Sequence, residues 1–341
     1  MNSMAASYNP SHEGNTPVVA PKDVGGLPWL TLNDGKQVPM VHLLSIPVSS
    51  LPQKPVLTSL SLAYGTGTAN GKFDKDPNST DLDKDLVKTI LMAINAGYRH
   101  IDCAQVYNNE AEVGAAIAQS KIPREQFYIT TKLVGTRQTN TEECFAQSLK
   151  KLGVHYVDQY LIHAPFFAKT DEELQQKWAD LEAIQASGRA HSIGVSNFLQ
   201  PQLEAILKTA KVIPAVNQIE YHPYLQHGKL VDFHQSHGIA TSAYAPLTAA
   251  IFGRPGPLDQ YYSNLARKYG VSEADVALRW TVDQGMICIT TSSNEDRLKA
   301  YLGNLPKWKL TPREVDNIKE IGGEKHLRRF WNDKFAEGDR S

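Results

Sequence analysis

Four residues between positions 100 and 165 are of types that can work together on a polarised bond. A strand-like run over Arg99–Cys103 ends in Ile101-Asp102-Cys103, with Tyr107 just beyond it. A second, Phe127–Lys132, ends in Thr130-Thr131-Lys132, and a third, Val157–His163, runs into Leu161-Ile162-His163-Ala164-Pro165. This set suits reduction of a carbonyl. Hydride arriving at carbon leaves negative charge on oxygen, which a positioned acid must neutralise. Tyr107 is the candidate acid. A free phenol, with a pKa of about 10, is too weak at neutral pH, and a neighbouring ammonium lowers it by favouring the phenolate. Lys132 supplies that charge, Asp102 keeps Lys132 charged and in place, and His163 orients the substrate oxygen through a hydrogen bond. Two other assignments compete: a buried Asp102–Lys132 ion pair merely capped by Tyr107, and a Schiff-base lysine of a lyase.

Such residues meet only if successive strands deliver their ends to one rim. Eight strand-like runs alternate with amphipathic helical stretches: Leu60–Tyr64, Arg99–Cys103, Phe127–Lys132, Val157–His163, His191–Val195, Ala215–Glu220, Ala240–Ala245 and Ile287–Thr290. Gly97, Gly153, Gly188, Gly238 and Gly285 precede five of them, where a left-handed residue ends a helix. Leu82, Leu86, Val87, Ile90, Leu91 and Ile94 repeat at helical spacing. Eight such units with near-continuous apolar strands predict an α/β fold, a closed (β/α)8 TIM barrel whose active site lies at the C-terminal ends of the strands. An open doubly wound sheet is the runner-up. Trp29–Leu32, Asn33-Asp34-Gly35 and Lys36–Val38 predict an opening β-hairpin. Helices near Leu258–Tyr269 and Arg313–Ile321 lie outside the repeat. The expected layout is a leader over 1–26 and a single barrel domain over 27–341.

The chain has 341 residues, 41% hydrophobic and 21% charged, with a net charge of −1, which carries no basic footprint for nucleic acid or an anionic membrane. Three cysteines at Cys103, Cys144 and Cys288 supply no disulfide framework. With no signal-like start or membrane-length apolar run, the expected location is cytoplasmic. Asn78-Ser79-Thr80 is taken as a helix N-cap, and His227, His234 and His237 as a solvated helix face, with no metal site expected.

The stretch Gly97-Tyr98-Arg99-His100-Ile101-Asp102-Cys103-Ala104-Gln105-Val106-Tyr107-Asn108-Asn109-Glu110 resembles the aldo-keto reductase signature. Thr131-Lys132-Leu133, Asp158–His163 and Ile193-Gly194-Val195-Ser196-Asn197-Phe198 follow in the family's order, and the similarity runs from about Leu60 to Trp308. The resemblance is to the fungal NADPH-dependent, conjugated polyketone reductase and D-arabinose dehydrogenase-like branch. It implies that Asp102, Tyr107, Lys132 and His163 are the catalytic tetrad and that a nicotinamide cofactor, NADPH with NADH as the alternative, lies across the barrel mouth. Ser196, Asn197 and Gln218 would hold the carboxamide, Tyr244 would stack on the ring, and Ala245 and Leu247 would follow it. Gly65, Thr66 and Gly67 would sit beside the cofactor, although their spacing to Gly71 misses the dinucleotide fingerprint. Thr290, Thr291, Ser292, Ser293 and Arg297 would take the phosphates.

Departures from the family's pattern bear on cofactor and substrate. Thr291 stands where a lysine usually meets the 2′-phosphate, and Tyr301 where a polar adenine-side residue is frequent. Ala164 replaces a tryptophan and Gly67 an aromatic, so a wide mouth is expected, walled by Phe166, Phe167, the 249–257 segment, Phe330 and Trp331. An extra stretch covers Val41–Lys54. The expected partner is a small-molecule carbonyl substrate, aldehyde or ketone, with α-dicarbonyls and keto-lactones in view and no obligate protein partner. A regulatory or sensor protein on a reductase fold, or a polyol dehydrogenase running oxidatively, are the alternatives.

Overall fold

In the computed structural model the described residues are 29–39, 62–76, 81–136 and 138–341. The leader, the Val41–Lys54 stretch and Asn78–Thr80 lie outside them. A two-stranded antiparallel hairpin, β1 (Trp29–Thr31) and β2 (Gln37–Pro39), precedes a closed parallel barrel. The barrel strands are β3 (Leu62–Gly65), β4 (His100–Asp102), β5 (Tyr128–Leu133), β6 (Val157–Ile162), β7 (Ala190–Ser196), β8 (Val216–Glu220), β9 (Ala240–Tyr244) and β10 (Ile287–Thr290). Their order is sequential, and β10 closes on β3. The predicted barrel therefore forms, and the open sheet does not.

The helices between strands end as their sequences dictate. Helix α1 (Lys84–Ala96) starts at Asp83, whose carboxylate accepts from the N–H groups of Asp85 and Leu86, both at 3.0 Å. Its buried face is Leu86, Val87, Ile90, Ala93 and Ile94. Leu82, expected on that face, precedes the cap and is exposed, because the helix begins later than the apolar spacing alone requires. All five helix-ending glycines adopt positive φ. Beyond the repeat lie α7 (Thr248–Ile251), not foreseen, and the expected extra helices α8 (Asp259–Tyr269) and α11 (Pro312–Gly323). No helix among the described residues is long and apolar enough to cross a membrane.

Apolar side chains fill two spaces. One cluster lies between strands and helices, and Cys103 and Cys288 belong to it as buried free thiols. A smaller one packs Leu32 and Val38 of the hairpin against Tyr128, Val216 and Ile287, so the hairpin shields the barrel floor. Polar side chains occupy the level above: His100 bonds Thr130 at 3.0 Å, and Thr130 bonds Gln159 at 3.3 Å. Along β4 and β5 these lie two residues below Asp102 and Lys132, on the same side of the pleat.

His227 and His234 correct the expected solvated face. Only His234 is within the helix α6 (Leu230–Ser236), and both histidines are buried. The two His234 ring nitrogens meet Asn217 and Thr241, each at 2.9 Å, while His237 stays exposed. A buried, fully bonded imidazole satisfies core polar groups. Among the described residues no three His, Cys, Asp or Glu side chains gather as metal ligands.

Gly194 shows how closely the strands approach. A Cβ there would lie 2.6 Å from the Val216 carbonyl oxygen and 2.9 Å from Leu161 Cδ2. Gly194→Ala is expected to destabilise the chain by roughly 2–3 kcal/mol through overpacking, read as a lower urea midpoint at unchanged m-value.

Candidate active site

The ends of β4, β5 and β6 place Asp102, Lys132 and His163 together, and a 3-10 turn over Gln105–Tyr107 brings in the phenol. Lys132 is fully buried, its ammonium 2.5 Å from Asp102 Oδ1 and 2.9 Å from the Cys103 carbonyl oxygen. It sits 5.2 Å from the centre of the Tyr107 ring, near enough for its charge to favour the phenolate. Tyr107 stands edge-on to His163, with ring centres 5.5 Å apart. Both rings are partly exposed, so the tetrad opens to the barrel mouth.

Burial disfavours the Lys132 ammonium, but Asp102 and the phenol more than offset this and hold its pKa above the ordinary value. A Schiff-base lysine needs the free amine, so the ion pair opposes the lyase alternative. The expected lowering of Tyr107 is corrected. Burial raises its pKa, Lys132 draws it down, and burial prevails, since Asp102 also opposes the phenolate. The phenol thus keeps its proton at neutral pH. Burial, helped by Lys132, depresses His163 to about 3, leaving a neutral imidazole.

Asp102 is held from several sides. Its second oxygen accepts from Gln218 Nε2 at 2.7 Å, and its carbonyl oxygen accepts from the Thr66 N–H at 2.9 Å and hydroxyl at 3.1 Å. Thr66, expected near the cofactor, is therefore fully buried and committed to positioning Asp102. Gly65 and Gly67 also have packing roles: a Cβ would meet Ile289 at 2.9 Å from Gly65, and the Tyr107 ring at 2.8 Å from Gly67. Asn109, not singled out from the sequence, donates to the carbonyl oxygens of Thr66 at 2.7 Å and Asn70 at 2.9 Å, tying the first loop to the tetrad.

The residues expected around a nicotinamide form one connected group. Ser196 Oγ donates to the Gln218 carbonyl oxygen at 2.8 Å, and Asn197 Nδ2 donates to the His163 carbonyl oxygen at 2.8 Å. Tyr244 donates to Asn197 Oδ1 at 2.7 Å and is partly exposed at the mouth. Ala245 turns the chain with a φ of 56°, and Leu247 packs partly into the core. At the end of β10, Thr290 is buried with an unpartnered hydroxyl, Ser292 is buried, and Ser293 is exposed. Thr291 accepts from Asn70 at 3.2 Å. Asn294 caps helix α10 (Glu295–Asn304), and Arg297 is exposed in its first turn. Tyr301 is buried in the core.

The mouth is less open than Gly67 and Ala164 imply. Phe73, exposed and unnoticed in the sequence, stands edge-on to Tyr107 at 6.3 Å. Trp331 approaches His163 at 6.1 Å and Phe166 at 5.0 Å, and Phe330 stands edge-on to Tyr244 at 5.6 Å. Ala164 lies partly exposed beside His163, whereas the Phe167 ring turns against Gly135 and packs partly into the core.

Residues 61–322 match the Aldo/keto reductase family. The chain belongs to that family. It is 38% identical to the NAD/NADP-dependent indole-3-acetaldehyde reductase of Schizosaccharomyces pombe, covering 79% of this chain and 93% of that one. It is 35% identical to the NADPH-dependent alpha-keto amide reductase of Saccharomyces cerevisiae, covering 90% and 95%. Among solved structures, an aldo-keto reductase of Bombyx mori in complex with NADP superposes with a TM-score of 0.70 at 32% identity, covering 86% of this chain and 92% of that one. The barrel thus has the fold of a solved aldo-keto reductase.

Burial also holds His100, His163, His227 and His234 at about 3 to 4, below the roughly 6.5 of an unfolded chain. A depressed histidine favours the neutral folded form, so stability is present above the unfolded value and falls as pH drops below it. The urea midpoint of this reductase is expected to fall from about pH 6.5 to 5, with His163 ring resonances unchanged over that range in the folded protein.

Proposed function

We propose that this chain reduces aldehydes or ketones to alcohols using NADPH, with Tyr107 as general acid. The observation that carries this is the buried Lys132–Asp102 pair under a protonated phenol, beside a neutral imidazole, at an open barrel mouth. When bound at the mouth, a reduced nicotinamide would supply the hydride for the carbonyl carbon. His163 donates a hydrogen bond to the carbonyl oxygen and orients it. Tyr107 gives its proton to that oxygen as charge develops, and Lys132 stabilises the phenolate left behind. Asp102 keeps Lys132 protonated through the cycle.

The residues present fit a nicotinamide dinucleotide. The Nε2 of Gln218 is committed to Asp102, which leaves its carbonyl oxygen to face an amide N–H of the carboxamide alongside Ser196 and Asn197. Tyr244 offers a partly exposed ring at the mouth. The orphaned hydroxyl of Thr290, the exposed Ser293 and the α10 N-terminus offer donors for phosphate. Arg297 enters no ion pair among the described residues and would meet the 2′-phosphate of NADPH in place of the missing lysine. The names of both yeast relatives include NADP or NADPH, which favours this cofactor, with NADH as the alternative. An α-keto amide and an arylacetaldehyde, the substrates in those names, set the class to test first alongside other α-dicarbonyls and keto-lactones. The complete tetrad favours an enzyme over a sensor and serves either direction, so the cofactor ratio decides between reduction and alcohol oxidation. We place the enzyme in the cytoplasm, as expected from the sequence.

Tyr107→Phe is expected to lower kcat for NADPH-dependent reduction by about 10²–10⁴-fold, with NADPH affinity little changed. Steady-state absorbance at the nicotinamide band and fluorescence titration check the two halves. Arg297→Ala is expected to raise KM for NADPH about tenfold or more, as for a lost charge-assisted bond, while leaving KM for NADH near its starting value.

A further inference from the structure

We propose that Glu220 is a positioning residue, a latch that holds the C-terminal tail across the barrel mouth and thereby sets its aromatic wall. Glu220 is the last residue of β8, just beyond the apolar part of the strand, and is 1% exposed. A buried carboxylate needs donors for both oxygens, and most of those it finds come from the tail. The backbone N–H of Arg329 donates to Oε1 at 2.9 Å and that of Phe330 to Oε2 at 3.0 Å. His222 Nε2 donates to Oε1 at 3.0 Å. The guanidinium groups of Arg328 and Arg329 lie within the carboxylate's field. Glu220 is thus solvated by the tail, and the tail is fixed by Glu220.

What the latch fixes lies on the tetrad. Phe330, whose N–H is held, stands against Tyr244, and the next residue, Trp331, stands against His163 and Phe166. Trp331 has a φ of 62°, a left-handed conformation that a bulky side chain does not adopt unaided. The flanking attachments must therefore impose it. The preceding backbone tie is the Leu327 N–H to the Tyr224 carbonyl oxygen at 3.2 Å, so among the described residues the two bonds to Glu220 are the N–H restraints between Leu327 and Trp331, joined by a longer contact from Asn332 Nδ2 to the Arg329 carbonyl oxygen at 3.5 Å. A carboxylate suits the site and an amide does not, because a glutamine Nε2 would face an N–H where an acceptor is required.

Chymotrypsin, which cuts after Phe330 and Trp331, reads the latch directly and without any substrate. In the full-length protein, Glu220→Gln is expected to accelerate that cleavage about tenfold or more, as local opening becomes easier. Arg329→Pro, which deletes one latched N–H and leaves Glu220 intact, is expected to do the same, whereas Arg329→Lys keeps both the N–H and the positive charge and stays near the original rate. Resistance to cleavage in both Glu220→Gln and Arg329→Pro overturns the proposal. The kinetic half rests on the reductase function: Glu220→Gln should raise KM for bulky carbonyls about tenfold with kcat within about threefold. In a Phe330→Ala/Trp331→Ala background the same substitution should add nothing, and a KM effect that persists there assigns Glu220 to some role other than the tail. Accelerated cleavage in a protein that turns over no carbonyl leaves the latch standing and removes the reductase function instead.

Discussion

A lysine ammonium with no exposed surface is the constraint around which this barrel is arranged. Moving that charge out of water is costly unless its hydrogen-bonding capacity is met. Asp102 and the Cys103 carbonyl oxygen meet it directly, and the Tyr107 phenol lies beside it. The partners must themselves be held. Gln218 reaches across the barrel to the far oxygen of Asp102, Thr66 grips the Asp102 backbone, and Asn109 grips Thr66. Removing Asp102 would leave an uncompensated ammonium, so the pair stabilises the fold only while both members are present.

The same arrangement divides the barrel into levels. Hairpin side chains and apolar strand residues close the floor, neutral polar groups such as His100, Thr130 and Gln159 occupy the middle, and the charged pair lies at the top. Burial is already nearly complete at the level of the charged pair. This dryness accounts for both the depressed His163 and the raised Tyr107, because each is thereby kept in its uncharged form. A neutral donor and an intact acid are what a carbonyl oxygen acquiring charge requires.

Much of this was legible in the sequence, and the exceptions have physical reasons. Strand-end polar residues after apolar runs located Asp102, Lys132 and His163, because a closed parallel barrel leaves its βα rim as the place for them. Glycines after helices marked turns, because left-handed φ is a local property. Packing across distance was not legible. The glycine at 67 is explained by a Tyr107 ring forty residues later in the chain, and the burial of Tyr301 by core neighbours from other elements. His234 looked solvated because helical spacing does not say which face meets a strand, and Asn217 and Thr241 decide it. Balance of opposing electrostatic effects was equally hidden: Lys132 beside Tyr107 predicts a lower pKa, but burial of the phenol outweighs it. Glu220 did leave a signal, a lone acid closing an apolar strand, and nothing in the sequence showed that its donors lie 109 and 110 positions away.

That attachment is made to main-chain N–H groups and not to side chains. Apart from proline, every amino acid carries the same donor, so the tail can change its side-chain sequence without losing its mooring. A barrel of this design separates chemistry from selectivity: the charged pair depends on both of its side chains, while the tail is attached through groups that do not depend on which side chains it carries. New substrate ranges are then open to point substitution in a short segment, with no remodelling of the strands beneath it.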